Sequence, residues 1–201
     1  MRAPWLLTML ASVPGVLWSQ DRSEPPAPRA GARAEAAAEP GANARPAAWR
    51  ALLPDGQPAG QGRLTVWGFE VYDARLWVAP GFRQAQFERH AFALELAYLR
   101  AFSAADIAAR SIAEMRRAGA FDAAQAQRWQ AALEALLPPV QRGDRLTGVH
   151  RPGRGASFLV NGQPVGEIAD AEFSRLFFAI WLGERSSEAA LRRLLLAGTP
   201  P

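Results

Sequence analysis

The sequence contains no cysteine and no lysine, and it has only two histidines. Without cysteine the chain has no disulfide, no thiolate nucleophile, no thiolate ligand for zinc and no site for lipidation at a lipobox. Without lysine it cannot form a Schiff base. His90 and His150 fit neither an H-x-x-x-H nor an H-E-x-x-H spacing. We therefore expect no metal site and no cofactor.

Common catalytic and nucleotide-binding motifs are also absent. The chain has no G-x-S-x-G, no G-x-x-x-x-G-K and no G-x-G-x-x-G after a predicted strand. All 23 basic residues are arginines, yet the net charge is only +4. These arginines neither cluster along one helix face nor alternate with aromatic residues, as they do on nucleic-acid-binding surfaces. We expect no nucleic-acid partner.

The first 46 residues divide into two segments without a core pattern. Residues 1–20 are predicted to be a signal peptide, because the apolar run from Trp5 to Trp18 is shorter than the roughly 20 residues that span a bilayer. An uncleaved N-terminal membrane anchor is the alternative. Residues 21–46 contain no large apolar residue and are predicted to be a disordered linker. This interpretation places the mature protein in the periplasm, with no membrane partner for its folded domain.

Residues 47–201 show alternating strand patterns. The segment from residue 63 to 78 is rich in β-branched and aromatic residues and is predicted to form two strand segments, with Gly68 marking a bulge or a hairpin bend. Asn161-Gly162 predicts a type I′ hairpin turn, because both central positions of that turn need positive φ. The predicted strands cover residues 63–78, 92–98, 144–150, 156–160 and 163–168.

Four helices are predicted between and after these strands. Ser103 caps a helix over residues 104–118, and a second helix follows Asp122 and stops at Pro138-Pro139. Phe173 to Leu182 is apolar nearly all round, which indicates a buried core helix, and Ser187 is predicted to cap a short terminal helix. Because strands and helices come in blocks, the sequence predicts an α+β fold with a largely antiparallel sheet and helices packed on one face.

Several motifs in a fixed order carry a resemblance to a known family. The chain resembles the bacterial chalcone isomerase-like family over about residues 60–198. The resemblance implies an open-faced sheet with helices over one side and a ligand cleft between the two layers. The motifs are G-R-L, G-F-E-V-Y-D-A-R-L-W-V, S-I-A-E-M, G-D-R-L-T-G-V, F-L-V-N-G-Q-P-V-G-E-I and F-F-A-I-W-L-G.

The catalytic residues of the plant enzyme are not retained. Plant chalcone isomerase stabilises a phenolate with an arginine and with a Tyr, Lys and Asn at Y-x-x-K-x-x-x-N spacing on one helix. Aligning that helix with residues 103–118 places Ile107, Arg110 and Glu114 at the three positions. The hydroxyl is lost, and a carboxylate that repels a developing phenolate replaces a neutral amide. The resemblance therefore implies no catalytic residues here, and Arg110 with Glu114 is interpreted as a surface ion pair.

The same fold includes fatty-acid-binding proteins that hold the ligand carboxylate with an arginine on the first strand and a tyrosine in a G-x-K-V-Y-A motif. Residues 68–74 match the tyrosine motif at Tyr72, and Arg63 is the arginine offered by the preceding strand. A guanidinium and a phenol hydroxyl can together bind a carboxylate at the mouth of an apolar cleft. The residues alone equally fit an exposed strand arginine and a half-buried tyrosine bonded to backbone.

Three functions stay open at this point. The leading hypothesis is a non-catalytic periplasmic protein that binds a small amphipathic or carboxylate ligand, such as a fatty acid, through Arg63 and Tyr72. The alternatives are an isomerase acting on an unknown aromatic or enone substrate, and a partner-binding scaffold whose cleft is filled by side chains. The volume of the cleft discriminates between an open site and a filled one. The oligomeric state does not follow from the sequence.

Overall fold

Six antiparallel strands form a single sheet in the computed structural model, which describes residues 48–201. The predicted signal peptide and linker lie outside the described residues. Each strand pairs with the next one along the chain, so the sheet order is also the sequence order. The strands are β1 (Gln57–Val66), β2 (Phe69–Val78), β3 (Phe92–Tyr98), β4 (Arg145–Arg151), β5 (Gly155–Val160) and β6 (Gln163–Ile168). The predicted largely antiparallel sheet is confirmed.

The helices also begin close to the predicted residues. They are α1 (Ala104–Ala118), α2 (Ala123–Leu136), α3 (Ala171–Leu182) and α4 (Ala189–Leu195). Ser103 and Asp106 form a reciprocal capping box at the start of α1, and the Asp122 side chain accepts a hydrogen bond from the Gln125 backbone N–H at the start of α2. The Asp170 side chain likewise accepts from the backbone N–H groups of Glu172 and Phe173 at the start of α3, so capping side chains specify three of the four helix starts locally.

The predicted cap of the terminal helix was wrong. Glu188, not Ser187, occupies the N-cap position of α4, and its side chain makes no capping hydrogen bond. Instead, the Ser186 hydroxyl accepts a hydrogen bond from the Glu188 backbone N–H. Packing holds α4 in place, because the helix contacts β1 so closely that a Cβ added to Gly60 would lie 2.2 Å from the Leu194 carbonyl oxygen. A glycine is needed at that contact.

One face of the sheet carries the main core. Alternate residues of β2 are buried on this face, from Tyr72 to Val78, and the helices pack over them. The aromatic residues of α3 supply much of the filling: Phe173, Phe177, Phe178 and Trp181 are all buried. The prediction of a buried core helix is confirmed.

The opposite face has its own small cover, which the sequence did not predict. Residues 48–53, here called the strap, place Trp49 and Leu53 against Ala93, Val149 and Leu159 on the outer face of the sheet. The rings of Trp49 and Trp77 are 4.7 Å apart. The strap has one turn of 3₁₀ helix and no periodic pattern, so only its tertiary contacts reveal it.

Candidate functional site

Arg63 and Tyr72 lie on opposite faces of the sheet. Arg63 is paired with Asp73 across β1 and β2, and Leu64 is paired with Tyr72. Directly opposed residues share a face and neighbouring residues alternate, so Arg63 points to the outer face while Tyr72 points to the helices. The predicted joint clamp on one carboxylate is therefore not formed.

A β-bulge causes this separation. The turn after Val66 would place Arg63 directly opposite Tyr72 if the strands kept an unbroken register. The register shifts between Leu64 and Thr65, which leaves Val71 as the extra residue of β2. One extra residue reverses the face of everything beyond it.

Arg63 is engaged on the outer surface. Its Nε and Nη2 atoms donate to the two carboxylate oxygens of Asp73 at 2.6 and 2.9 Å, and its Nη1 donates to Glu70. The guanidinium lowers the pKa of the Asp73 carboxyl below its usual value. Arg63 is therefore an exposed strand arginine, which is one of the two interpretations that the sequence left open.

Tyr72 is buried beneath the helices beside a second tyrosine. Trp181 of α3 donates its indole N–H to the Tyr72 hydroxyl oxygen at 2.9 Å. The Tyr98 ring, directly opposite Tyr72 on β3, lies edge-on to it with 6.0 Å between centroids. Burial raises the pKa of both phenols well above the usual range. Both stay protonated, so each hydroxyl is a potential donor.

Charged residues of α1 and of the start of α4 influence the pKa of the buried hydroxyl. The positive charge of Arg110 on α1 lowers the pKa of Tyr72, while Glu114 and Glu188 raise it, and all three effects are smaller than that of burial. Arg110 donates to Glu114 at 2.8 Å, as predicted for this pair, but Glu114 is almost fully buried rather than on the surface. Arg110 therefore stands at the edge of the layer that contains Tyr72.

The helix α3 packs closely on the sheet. The cavity between β3, β4, β5 and α3 has a volume of about 10 Å³, which is room for about one water molecule, and its walls are apolar. A preformed cleft for a drug-sized ligand needs roughly 300 Å³ or more. The expected open cleft is absent at this place. The residues that line the cavity are Leu94, Leu96, Leu146, Gly148, Phe158, Phe177, Phe178 and Trp181.

A second polar pair lies deeper in the core. The His150 Nδ1 is 2.7 Å from the Ser174 hydroxyl, and its Nε2 is 2.9 Å from the Glu88 backbone carbonyl. The carbonyl can only accept, so Nε2 carries the proton and Nδ1 accepts from the serine hydroxyl. Because Ser174 is fully buried, no substrate reaches this pair, which instead ties α3 to β4 and to the loop before β3.

Three further observations bear on the chemistry. Among residues 48–201, no group of three His, Asp or Glu side chains is arranged to hold a metal ion. No helix in this part of the chain combines the length and apolar character that crossing a bilayer requires. Ile107 at the tyrosine position of the plant enzyme's helix is partly buried against the core and offers no proton.

Comparison with known proteins identifies the family. A family model described as chalcone isomerase-like matches residues 59–197. The chain belongs to the chalcone isomerase-like family. This confirms the resemblance inferred from the motif order, and the fold of the chalcone isomerase-like domain agrees with it. No curated protein matches the chain.

A solved structure supports the same fold. A fatty-acid binding protein of Arabidopsis thaliana superimposes with a TM-score of 0.56 at 12% sequence identity, over 71% of this chain and 87% of that one. At this identity the likeness establishes the shared fold and no more.

Trp181 and Tyr98 were missed as candidate site residues in the sequence, because each fitted an apolar core pattern. The register of Tyr98 with Tyr72 was the signal that could have placed the two tyrosines together.

Proposed function

We propose that this chalcone isomerase-like protein is a non-catalytic binding protein for a small amphipathic ligand, and that Tyr72 receives the ligand's polar end. The observation that carries this proposal is the unused proton of Tyr72. Its hydroxyl oxygen accepts from Trp181, and no acceptor for its own proton is found among residues 48–201. A buried donor without an acceptor is costly, and a ligand oxygen would satisfy it.

Arg110 is the cation that we assign to the ligand's carboxylate. Its guanidinium is half exposed at the edge of α1 and is bound to the nearly buried Glu114, and its positive charge slightly lowers the pKa of Tyr72. A carboxylate beside Tyr72 would compete with Glu114 for this guanidinium, which has several donors in a planar fork. Arg63 has no part in the proposed site, because it lies on the other face.

The ligand must open the closed layer. Since the observed cavity holds about one water molecule, an acyl chain enters only when α1 or α3 moves away from the sheet. The fraction of molecules in the open form then lowers the apparent affinity in proportion. The fatty-acid binding protein that shares the fold supports a fatty acid as the first ligand to test.

Titration with a long-chain fatty acid and the matching alcohol tests the site. We expect Tyr72→Phe to weaken acid binding about two- to tenfold, since a neutral hydrogen bond contributes about 0.5–1.5 kcal/mol. Arg110→Gln should weaken acid binding more than alcohol binding, because only the acid carries a charge. Arg63→Gln is the matched control and should leave both affinities unchanged. Equal acid affinities in all four proteins would remove Tyr72 and Arg110 from the site.

The filled layer favours a second candidate function, a partner-binding scaffold without a small ligand. The cavity under α3 is only about 10 Å³, and such a scaffold needs a closely packed core of this kind. The same titration separates the two candidates: no binding of acid or alcohol by the wild-type protein would favour the scaffold. The isomerase alternative gains no support, since the cavity under α3 is too small for an aromatic substrate and Ile107 offers no proton.

The proposal includes export to the periplasm. It is supported by the short apolar run from Trp5 to Trp18, which is followed by polar residues. Cell fractionation of the full chain, together with the mass of the mature protein, tests it. A protein that keeps its first 20 residues and sediments with membranes would instead support the N-terminal anchor.

A further inference from the structure

The turn between β1 and β2 carries two exposed aromatic side chains. Trp67 is 65% exposed and Phe69 is 49% exposed, and they are two of the four large apolar side chains that residues 48–201 leave exposed. Between them lies Gly68. Single exposed apolar residues are common in soluble proteins, but two on one hairpin tip form a patch that calls for a reason.

The backbone conformation at residue 67 is unfavourable for a tryptophan. Its φ is +51° and that of Gly68 is +83°, as in a type I′ turn. The other turn of this kind, Asn161-Gly162, has nearly the same angles, and Asn161 compensates with side-chain hydrogen bonds to the Arg145 backbone N–H and to Asp144. A bulky residue with positive φ is a backbone outlier, and the exposed Trp67 ring gains little packing in return. Folding therefore does not explain the tryptophan.

Two arginines flank this tip and add positive charge. The Arg100 guanidinium lies over the Phe69 ring, with 4.9 Å from its central carbon to the ring centroid. Arg100 and Arg142 both line an open depression of about 430 Å³ beside Phe69 and Gly68. Neither forms an ion pair with another residue of the described domain. Glu70, the carboxylate in the depression, is already bound to Arg63.

We propose that this tip, formed by Trp67, Gly68 and Phe69 with Arg100 and Arg142, is a docking surface for an anionic phospholipid bilayer. Tryptophan favours the bilayer interface, and arginines near the surface of an anionic leaflet are attracted to it. The contact is peripheral and needs no spanning helix. It departs from the expectation that the folded domain has no membrane partner, an expectation based on the lack of a spanning segment.

The position of the tip agrees with this assignment. Tyr72 of β2, Tyr98 of β3 and the start of β4 all lie at the end of the sheet that carries the tip. Docking at this end would bring the bilayer next to Tyr72, at the end of the interface between the sheet and the helices. The docking surface is argued from Trp67, Phe69, Arg100 and Arg142 alone, and it stands whether or not Tyr72 binds a ligand.

Site-specific fluorescence on the full chain tests the surface. The chain has no native cysteine, so Gly68→Cys gives a unique position for a polarity-sensitive dye. Gly153→Cys is the matched control: it lies in the β4–β5 turn at the opposite end of the sheet, and both glycines have positive φ and open space where a Cβ would be added. Phosphatidylglycerol vesicles should shift the emission of the dye at residue 68 to the blue and leave the dye at residue 153 unchanged.

This comparison is insensitive to the N-terminal segment, which would tether both labelled proteins alike. A shift at neither position, or an equal shift at both, overturns the proposal. An equal shift at residue 68 with phosphatidylcholine vesicles also overturns it, because the flanking arginines would then contribute nothing. Arg100→Gln with Arg142→Gln should abolish the preference for phosphatidylglycerol, while Arg154→Gln, in the distant turn, should preserve it.

Trp67→Asn separates docking from folding. It creates a second Asn-Gly turn, the combination that a type I′ hairpin prefers. We expect Trp67→Asn with Gly68 retained to melt at an equal or higher temperature, and Trp67→Asn combined with Gly68→Cys to lose the blue shift of the dye at residue 68. A lower melting temperature, or a shift as large as that of the wild-type protein, would contradict the proposal.

Discussion

The two faces of the sheet are made by alternate residues of the same strands, yet they tolerate different chemistry. On the helix face, the polar groups of the strands include the Tyr72 hydroxyl, bonded to Trp181, the Tyr98 hydroxyl beside it, and His150, held between Ser174 and a backbone carbonyl. The outer face carries the ion pairs of Arg63 with Asp73, Arg145 with Glu95 and Arg151 with Glu167. The difference teaches that the six described strands carry no carboxylate or guanidinium on the face beneath the helix layer, whereas the strap covers only part of the outer face and leaves at least one member of each ion pair exposed.

The largest loss of stability is expected from a substitution on the helix face. Phe178 is fully buried, and its ring contacts those of Phe92 and His150. Phe178→Ala should lower the free energy of unfolding by about 3–5 kcal/mol. The packed core around α3 cannot close over the space of the removed ring, so the substitution leaves a cavity. Urea denaturation measures the change, with the half-exposed Leu194→Ala as control at about 0.5 kcal/mol or less. A loss below about 1 kcal/mol would show that α3 is not a packed core helix.

A smaller effect is expected from the outer face. Trp49 is buried, but it belongs to a strap with a single turn of 3₁₀ helix, so we expect the strap to settle onto the sheet rather than leave a cavity when this side chain is removed. Trp49→Ala should therefore lose only the transfer free energy of the side chain, about 1.5–3 kcal/mol. The same urea denaturation gives the value. If Trp49→Ala costs as much as Phe178→Ala, the strap is as rigid as the helix layer and the contrast between the faces fails.

The third prediction concerns acid. Burial lowers the pKa of His150 below its ordinary value near 6.5. The unfolded chain therefore binds more protons than the folded one once the pH drops below about 6.5, so stability should fall from there down to the folded pKa, by at most about 1.4 kcal/mol per pH unit. Melting temperatures from pH 7.5 to 5 measure this fall.

The two histidines provide the control for that measurement. His150→Gln should flatten the decline in stability between pH 6.5 and 5, whereas His90→Gln, on the loop before β3, should retain it. A decline of equal slope in the wild-type protein and in His150→Gln would assign the acid sensitivity to other groups. The outer face has no buried histidine among the described strands, so this sensitivity belongs to the helix face.

The smallest change in stability is expected from a substitution of Arg63. Its partners Asp73 and Glu70 are exposed to solvent, and exposed ion pairs contribute little to stability. Arg63→Gln should leave the urea midpoint within experimental error of the wild-type value, at low and at high salt. A clear loss of stability that salt diminishes would show that the outer-face ion pairs support the fold.

Much of the fold could be predicted because its signals are local. The Asn161-Gly162 turn, the caps at Ser103 and Asp122 and the alternation in Phe92–Tyr98 all act within a few residues, and each was confirmed. The strap, the first residues of β1 and the start of α4 were missed or misplaced. Their sequences have weak local preferences, and contacts with distant residues determine them.

The candidate site shows more clearly what the sequence could not determine. By itself, the sequence determined the alternation of apolar and polar residues, the hairpins, the capped helices and the motif order that identified the family. Only the tertiary structure decided that Val71 bulges out of register, where its carbonyl oxygen accepts a hydrogen bond from the Leu99 backbone N–H, and that Arg63 therefore turns away from Tyr72. It also decided that aromatic side chains close the layer where a cleft was expected. The physical reason is that a strand's register and the fit of a core depend on neighbours far along the chain.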